Sequence, residues 1–257
     1  MTTQSVTAVR FFGQVQPLAT TIGVSDTTPI DYFDFERNRH ITFRVSVSAS
    51  SLLVLCKCPG YSGQEDLVFL WIRATDMACA LIDTIGFASG RGWTVYIDRY
   101  QLDSGDISAI DFSNPPLAQA VTAYNINNFT EILPIIMSKP PLFWALRDLS
   151  ESLVVPHRAA INAYRAVEAV RHMLSEPGDN ASIMWSKLRL SLNVERQYIQ
   201  FIANNSTEAR HGNRVRVGGT EAAESLLRAW TIMNRFIELQ KRRADQLPIQ
   251  YFPLLTG

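Results

Sequence analysis

The spacing of apolar residues changes from every second position to every third or fourth between Pro134 and Pro141. Segments before this point alternate apolar and polar residues, as strands do, whereas segments after it show the spacing of helices. The prolines themselves break regular structure. We therefore predict an α+β fold with three parts: an N-terminal α+β domain at residues 1–135, an all-α helical bundle at residues 140–245, and a C-terminal tail at residues 246–257.

The N-terminal half is predicted to contain a small sheet and one long helix. Residues 40–47 alternate apolar and polar residues, and residues 52–57 follow a turn-like serine cluster as a second strand, which indicates a β-hairpin. Residues 67–85 place apolar side chains on one helical face, and Asp66 precedes them as a candidate N-cap. A third strand is predicted over residues 93–100. The helix is expected to pack on this sheet.

Three glycines, Gly86, Gly90 and Gly92, separate the predicted helix from the third strand. Phosphate-binding loops run from a strand into the N-terminus of a helix, which is the opposite order. We therefore interpret Gly86 as the residue that ends the helix, and the loop as a turn and not a nucleotide site.

The C-terminal half shows only helical spacing. The clearest helix spans residues 156–174, because it begins with a proline, has no internal breaker and ends near Pro177. Apolar spacing predicts the other helices at residues 142–155, 184–192, 194–203 and 220–243.

The charges balance overall, with 24 Lys and Arg against 24 Asp and Glu, but they are unevenly distributed. Residues 1–138 hold 8 Lys and Arg against 13 Asp and Glu, and residues 139–257 hold 16 against 11, so the halves carry −5 and +5. A polyanion such as RNA is expected to prefer the C-terminal half.

The cysteines and the apolar segments indicate the compartment. Cys56, Cys58 and Cys79 form no recognisable disulfide framework, which favours a reducing environment. The start lacks a charged segment followed by an apolar run, and no stretch approaches about 18 apolar residues. We expect a cytoplasmic protein without a membrane span.

The histidines are scattered and lack partners at metal-ligand spacing, so neither a metal nor a cofactor is predicted.

One cluster of residues could carry chemistry. Arg210 and His211 stand side by side before a glycine, and Arg214 and Arg216 follow closely. A histidine can transfer protons to and from a ribose hydroxyl, and an arginine can hold a phosphate, which suffices for metal-free RNA cleavage. The same residues could instead close a helix, since positive side chains favour its C-terminal end.

Several short motifs occur in order along the predicted bundle. They are Tyr164-Arg-Ala-Val-Glu168, Trp185 with Leu188 and Leu192, Ala209-Arg-His-Gly212, Arg228-Ala-Trp230 and Arg235-Phe-Ile-Glu-Leu239. In this order and spacing, residues 142–243 resemble the HEPN superfamily of helical domains, in particular the bacterial variants that carry Arg-His-Gly after a long helix. The resemblance implies a homodimer, because that family builds its functional groove between two copies.

The resemblance also implies RNA cleavage, for which the family uses an arginine followed by a histidine. His211 falls on the histidine, whereas the position five residues before it is Ser206, so Arg210 is the candidate cation. Two hypotheses follow. One is a metal-independent RNA endonuclease that acts as a homodimer. The other is a catalytically silent HEPN-like module that binds RNA or a partner protein and is regulated by the N-terminal domain.

Four arginines are candidates for nucleic-acid binding: Arg165, Arg171, Arg214 and Arg216. Seven positions separate Arg165 from His172, so the two could share one helix face as a second Arg and His pair. Arg165, Glu168 and Arg171 at three-residue spacing also fit a row of ion pairs.

Overall fold

The computed structural model describes residues 6–18, 22–25, 27–35, 38–61, 63–103, 105–110, 128–155, 158–210 and 219–257. The chain divides into two compact units, one up to residue 112 and one from residue 113. The first contains an antiparallel sheet with a long helix, and the second contains helices. This confirms the predicted α+β fold with a C-terminal helical bundle.

The sheet of the first unit contains seven strands within the described residues. They are β1 Val6–Gln16, β2 Gly23–Val24, β3 Ile30–Asp34, β4 Arg39–Ser48, β5 Ser51–Tyr61, β6 Thr94–Leu102 and β7 Ile107–Ala109. The order is β2-β4-β5-β1-β6-β7, with β3 also paired to β4, and all pairs are antiparallel. The predicted hairpin is confirmed as β4 and β5, and the third predicted strand as β6.

One face of this sheet is covered by the helix α1, Gln64–Ser89. Alternate residues such as Phe11, Phe43 and Val54 are fully buried in one cluster with Leu70 and Ile82 of α1. The alternation is the period of two that a strand imposes on its side chains. The sheet therefore has one face covered by α1 and a second face that points away from α1.

Both predicted ends of α1 were wrong by a few residues. The helix begins at Gln64, two positions before the proposed cap Asp66, and it continues past Gly86 to Ser89. Gly90 ends it with φ 65° and ψ 31°, the left-handed conformation that glycine adopts at low cost. Gly86 has a different role, because a Cβ there would lie 2.5 Å from the Arg91 carbonyl oxygen.

The described residues of the second unit contain six helices, which are α2 Phe129–Met137, α3 Pro140–Val154, α4 Ala159–Met173, α5 Ala181–Leu192, α6 Arg196–Arg210 and α7 Gly219–Arg242. The central helix α4 packs against α3, α6 and α7. Val167 and Val170 of α4 are buried in one cluster with Ile202 of α6 and Phe236 of α7. Among the described residues, every helix is too short or too polar to cross a membrane.

The segment predicted to separate the domains forms regular structure. Pro134 lies inside α2, and Pro140 is the first residue of α3, where its missing N–H has no intrahelical partner to lose. Ile132 and Ile136 of α2 pack against the core of the bundle. Residues 129–135 therefore lie in the second unit, and the prediction that they belong to the N-terminal domain is wrong.

Residues 246–257, predicted as a tail, pack on the bundle. Leu247 is buried, and Phe252 packs against the helical core. The backbone N–H groups of Glu195 and Leu255 donate to the carbonyls of Leu255 and Asn193, both at 2.9 Å. This segment is therefore part of the bundle.

Candidate functional site

The predicted catalytic pair lies at the boundary of the described residues. Arg210 is the last residue of α6. His211 lies outside the described residues, as do Arg214 and Arg216. The catalytic role of His211 and Arg210 therefore stays a prediction.

The position that the resemblance assigns to an arginine is buried inside the bundle. Ser206 is fully buried, and its Oγ donates to the Ala203 carbonyl at 2.8 Å on the same helix. Next to it, Asn205 Nδ2 donates to Ser225 Oγ of α7 at 3.2 Å. Because protein interiors are close-packed, an arginine at position 206 would displace this α6–α7 contact. The buried serine therefore fits the local packing and supplies no cation.

Arg165 is held by the neighbouring helix and not by His172. Its Nε lies 3.4 Å from Asp148 Oδ2 of α3, and its side chain is largely exposed while that of Asp148 is largely buried. Burial raises the pKa of Asp148, although the positive charge of Arg165 acts in the opposite direction. Arg165 therefore joins α3 to α4 and keeps part of its side chain in solvent.

Arg171 is held in a cluster that joins α4 to α5. Its guanidinium carbon lies 4.6 Å from the centroid of the Trp185 ring, and its Nη2 lies 3.8 Å from Glu168 Oε1 and 2.9 Å from His172 Nε2. The Trp185 ring in turn lies 6.3 Å from that of Tyr164. We call these five residues the Arg171 cluster.

The geometry of the Arg171 cluster favours a structural role. The Arg171 side chain is only 13% exposed, and its charge already has a ring and a carboxylate as partners. Its Nε is buried and has no hydrogen-bond partner among the described residues. Tyr164, Glu168 and Trp185, which contribute to the resemblance, thus position Arg171 between two helices.

Both arginines of the proposed nucleic-acid site that the structure describes therefore have intramolecular partners. Arg165 pairs with a carboxylate of α3, and Arg171 pairs with Glu168 on its own helix. Of the predicted row, the Glu168–Arg171 pair is present, whereas Arg165 pairs with Asp148 instead. Among the described residues, no group of three or more His, Cys, Asp or Glu side chains could hold a metal ion.

An exposed apolar surface on α2 and α3 is a feature that the sequence analysis missed. Seven of the nine residues of α2 are apolar, yet none is buried. Met137 is 68% exposed, Trp144 of α3 is 56% exposed, and Phe129 and Phe143 are also exposed. The rings of Phe143 and Trp144 lie 5.0 Å apart. These four residues define the α2–α3 surface.

The exposed apolar area of the α2–α3 surface is several times that of a single exposed side chain. Each aromatic side chain contributes about 150–250 Å² when fully accessible, so the half-exposed rings and Met137 together present about 400 Å². Exposed apolar area of this size on a monomer frequently marks an interaction site. The signal in the sequence is the apolar stretch 129–137, most of which the prediction from sequence places in the N-terminal domain.

Comparisons with known proteins relate both halves of the chain to one family. Residues 9–110 match the family model of the domain of unknown function DUF8168, N-terminal domain. Residues 129–241 match that of the DUF8168 C-terminal domain. A search of curated proteins and a search of solved structures each gave no match. The chain therefore matches both domains of DUF8168, in their N- to C-terminal order.

Proposed function

We propose that the helical bundle is a catalytically silent, HEPN-like protein-interaction module that pairs with a second copy of the chain. The observation that carries this proposal is the α2–α3 surface, an apolar helix without a buried residue beside two exposed rings. In this proposal the N-terminal domain regulates the bundle.

The composition of this surface supports a protein partner. Interface centres are enriched in Trp, Phe and Met and poor in charge. A standard interface covers about 800 Å² per partner, and an apolar centre of about half that area fits such an interface. A twofold axis through the surface would bring identical apolar residues together, which is the commonest arrangement of homodimers.

The described arginines support a silent module over an enzyme. The residue at the family's arginine position is the buried Ser206, and Arg165 and Arg171 already have intramolecular partners. A catalytic arginine must be available to the phosphate in the transition state.

Substitution of Trp144 by glutamate tests the proposal. The wild type is expected to show about twice its chain mass of 28.9 kDa by light scattering at micromolar concentration. Trp144→Glu should show one chain mass, because a carboxylate at the centre of an apolar interface loses its hydration. The matched control is Leu190→Glu, which places the same charge at an exposed apolar position of α5. A monomeric wild type, or dissociation by both variants, would contradict the proposal.

A metal-independent RNA endonuclease is the second candidate function. It is favoured by the position of Arg210, the last described residue of α6, where the resemblance implies the Arg-His-Gly motif. In this case His211 acts as general acid or base, and Arg210 stabilises the charge on the phosphorane.

Incubation of wild type and His211→Ala with a mixed RNA pool in EDTA tests the second candidate. A nuclease of this kind leaves 2′,3′-cyclic phosphate ends, and His211→Ala should abolish them without loss of folded protein. Equal background cleavage by both proteins would reject the catalytic assignment.

A further inference from the structure

The face of the N-terminal sheet opposite α1 has a composition unlike that of the domain around it. In β1, the buried residues Val9, Phe11 and Val15 alternate with Arg10 and Phe12, which are partly exposed. The same alternation continues through β4 and β5, and strand pairing extends this side of the sheet to β6 across a bulge. Besides neutral polar residues such as Gln14, Thr42 and Ser46, the residues opposite α1 include Arg10, Phe12, Arg44, Leu53, Leu55, Lys57, Tyr96 and Arg99. We call these residues the open sheet face.

The strand register brings the cations and apolar residues of this face side by side. Leu55 of β5 pairs with Arg10 on one side and with Arg44 on the other. Phe12 of β1 likewise pairs with Leu53 and with Arg99. Because paired strands lie about 4.8 Å apart, these side chains form a continuous surface across four strands.

The charge of this face is opposite to that of the surrounding domain. Strands β1, β4 and β5 contain four Arg or Lys residues and no Asp or Glu, although residues 1–138 carry a net charge of −5. Strand β6 adds Arg99 and Asp98, which pair at 3.3 Å, and Asp31 of β3 accepts a hydrogen bond from Thr42 of β4. The strands of the open sheet face therefore carry more cations than carboxylates, and this face attracts anions.

Aromatic rings lie among these cations. Phe12 lies in the central strand β1, and Tyr96 of β6 is exposed and pairs with Gln14. Single-stranded nucleic acids are bound by this combination, since cations contact the phosphates and rings stack on the bases. A duplex or an acidic peptide would use the cations and leave the rings without a partner.

We propose that the open sheet face binds single-stranded nucleic acid. This site lies in the acidic half of the chain, although net charge alone favours the basic half for a polyanion. The inference does not depend on the function proposed for the helical bundle.

Fluorescence anisotropy with a labelled single strand of about 20 nucleotides, as RNA and as DNA, tests the inference on the full chain. The double variant Lys57→Gln/Arg99→Gln removes two exposed cations of the face. Each phosphate contact contributes about 0.7 to the slope of log K against log salt, or about fivefold in affinity at 0.1 M salt. The double variant should therefore bind about 25-fold more weakly, with a slope smaller by about 1.4.

Two further variants separate this site from general charge attraction. Arg91→Gln removes an exposed cation of the turn after α1, outside the open sheet face, and should change affinity less than about twofold. Tyr96→Leu keeps an apolar side chain but removes the stacking ring, and should weaken binding at least about fivefold. Circular dichroism melts of all variants must match that of the wild type for these comparisons to count.

Several results would overturn the inference. They are no binding of either strand at about 50 mM salt, unchanged affinity in the double variant, or an equal loss in Arg91→Gln. Equally tight binding of a DNA duplex or of an oligoglutamate peptide, insensitive to Tyr96→Leu, would assign the face to a different anionic partner.

Discussion

Arg235 of α7 is a buried cation that connects three segments of the bundle. Its Nη1 donates to the carbonyls of Leu192 and Asn193 at 2.8 and 2.9 Å, and its Nη2 donates to that of Pro253 at 2.7 Å. Burial lowers the pKa of Arg235, but a guanidinium stays charged at neutral pH. It therefore supplies hydrogen bonds to the C-terminal end of α5, where the helix carbonyls have no intrahelical donors.

Arg235→Met keeps most of the apolar stem and removes all three donors. A hydrogen bond from a charged group contributes about 1.5–3 kcal/mol, and part of this offsets the cost of burying the charge. The Asn193 carbonyl keeps a second hydrogen bond, from the Leu255 N–H. At most two of the three carbonyls are therefore left without a protein donor. We expect a loss of about 2–6 kcal/mol in the free energy of unfolding, because the Leu192 and Pro253 carbonyls each lose this donor at a cost of about 1–3 kcal/mol.

Arg242→Met on the same helix is the matched control. Arg242 pairs with Glu238 at 2.6 Å, but it is 42% exposed, so its loss should cost less than about 1 kcal/mol. Urea unfolding followed by circular dichroism measures both variants. A difference between them below about 1 kcal/mol would refute the structural role of Arg235.

Two further predictions concern the sheet. Gly13→Ala should lower the free energy of unfolding in urea by at least about 2 kcal/mol, because the added Cβ would overlap the Tyr96 carbonyl oxygen. Gly23→Ala is the control, since there is open space around its Cβ, and it should cost less than about 0.5 kcal/mol. A hydrogen bond with the Cys58 thiol, together with burial, raises the pKa of Cys56 in the folded protein. Since the unfolded thiol ionises near pH 8.5 and the folded one keeps its proton, stability should fall above about pH 8.5 by up to about 1.4 kcal/mol per pH unit. Urea unfolding of Cys56→Val should lack this part of the decline, and an unchanged pH dependence would contradict the assignment.

Local patterns were sufficient for the hairpin and for most helices, because their signals lie within one short segment. Strand β1 shows the same alternation, yet its central place depends on pairing with residues 51–61 and 94–102. Pairings over such separations leave no trace in local spacing. The role of Gly86 could not be predicted from local spacing either, because its close approach to the Arg91 carbonyl forms only when the chain folds back after α1.

The two candidate surfaces could not be predicted from the sequence, because apolar content does not show which side chains are buried in the fold. Residues 129–137 have the composition of a core helix, and Ile132, Ile135 and Ile136 pack on the bundle, but Phe129 and Met137 at the two ends of α2 are exposed. Likewise, the negative net charge of residues 1–138 gives no sign that one face of the sheet is basic. The three-residue spacing of Glu168 and Arg171 predicts their ion pair, but the contact of Arg171 with Trp185 depends on how α4 packs on α5.

Hydrogen exchange at two protein concentrations tests the proposed self-association most directly, because it reports where the copies meet. Backbone amides of α2 and of the first turns of α3 should exchange more slowly at high concentration than at low, while those of α5 around Leu190 should be unaffected. In Trp144→Glu the concentration dependence should disappear. Equal exchange of α2 at both concentrations, when light scattering shows the mass to change between them, would place the interface elsewhere and contradict the account.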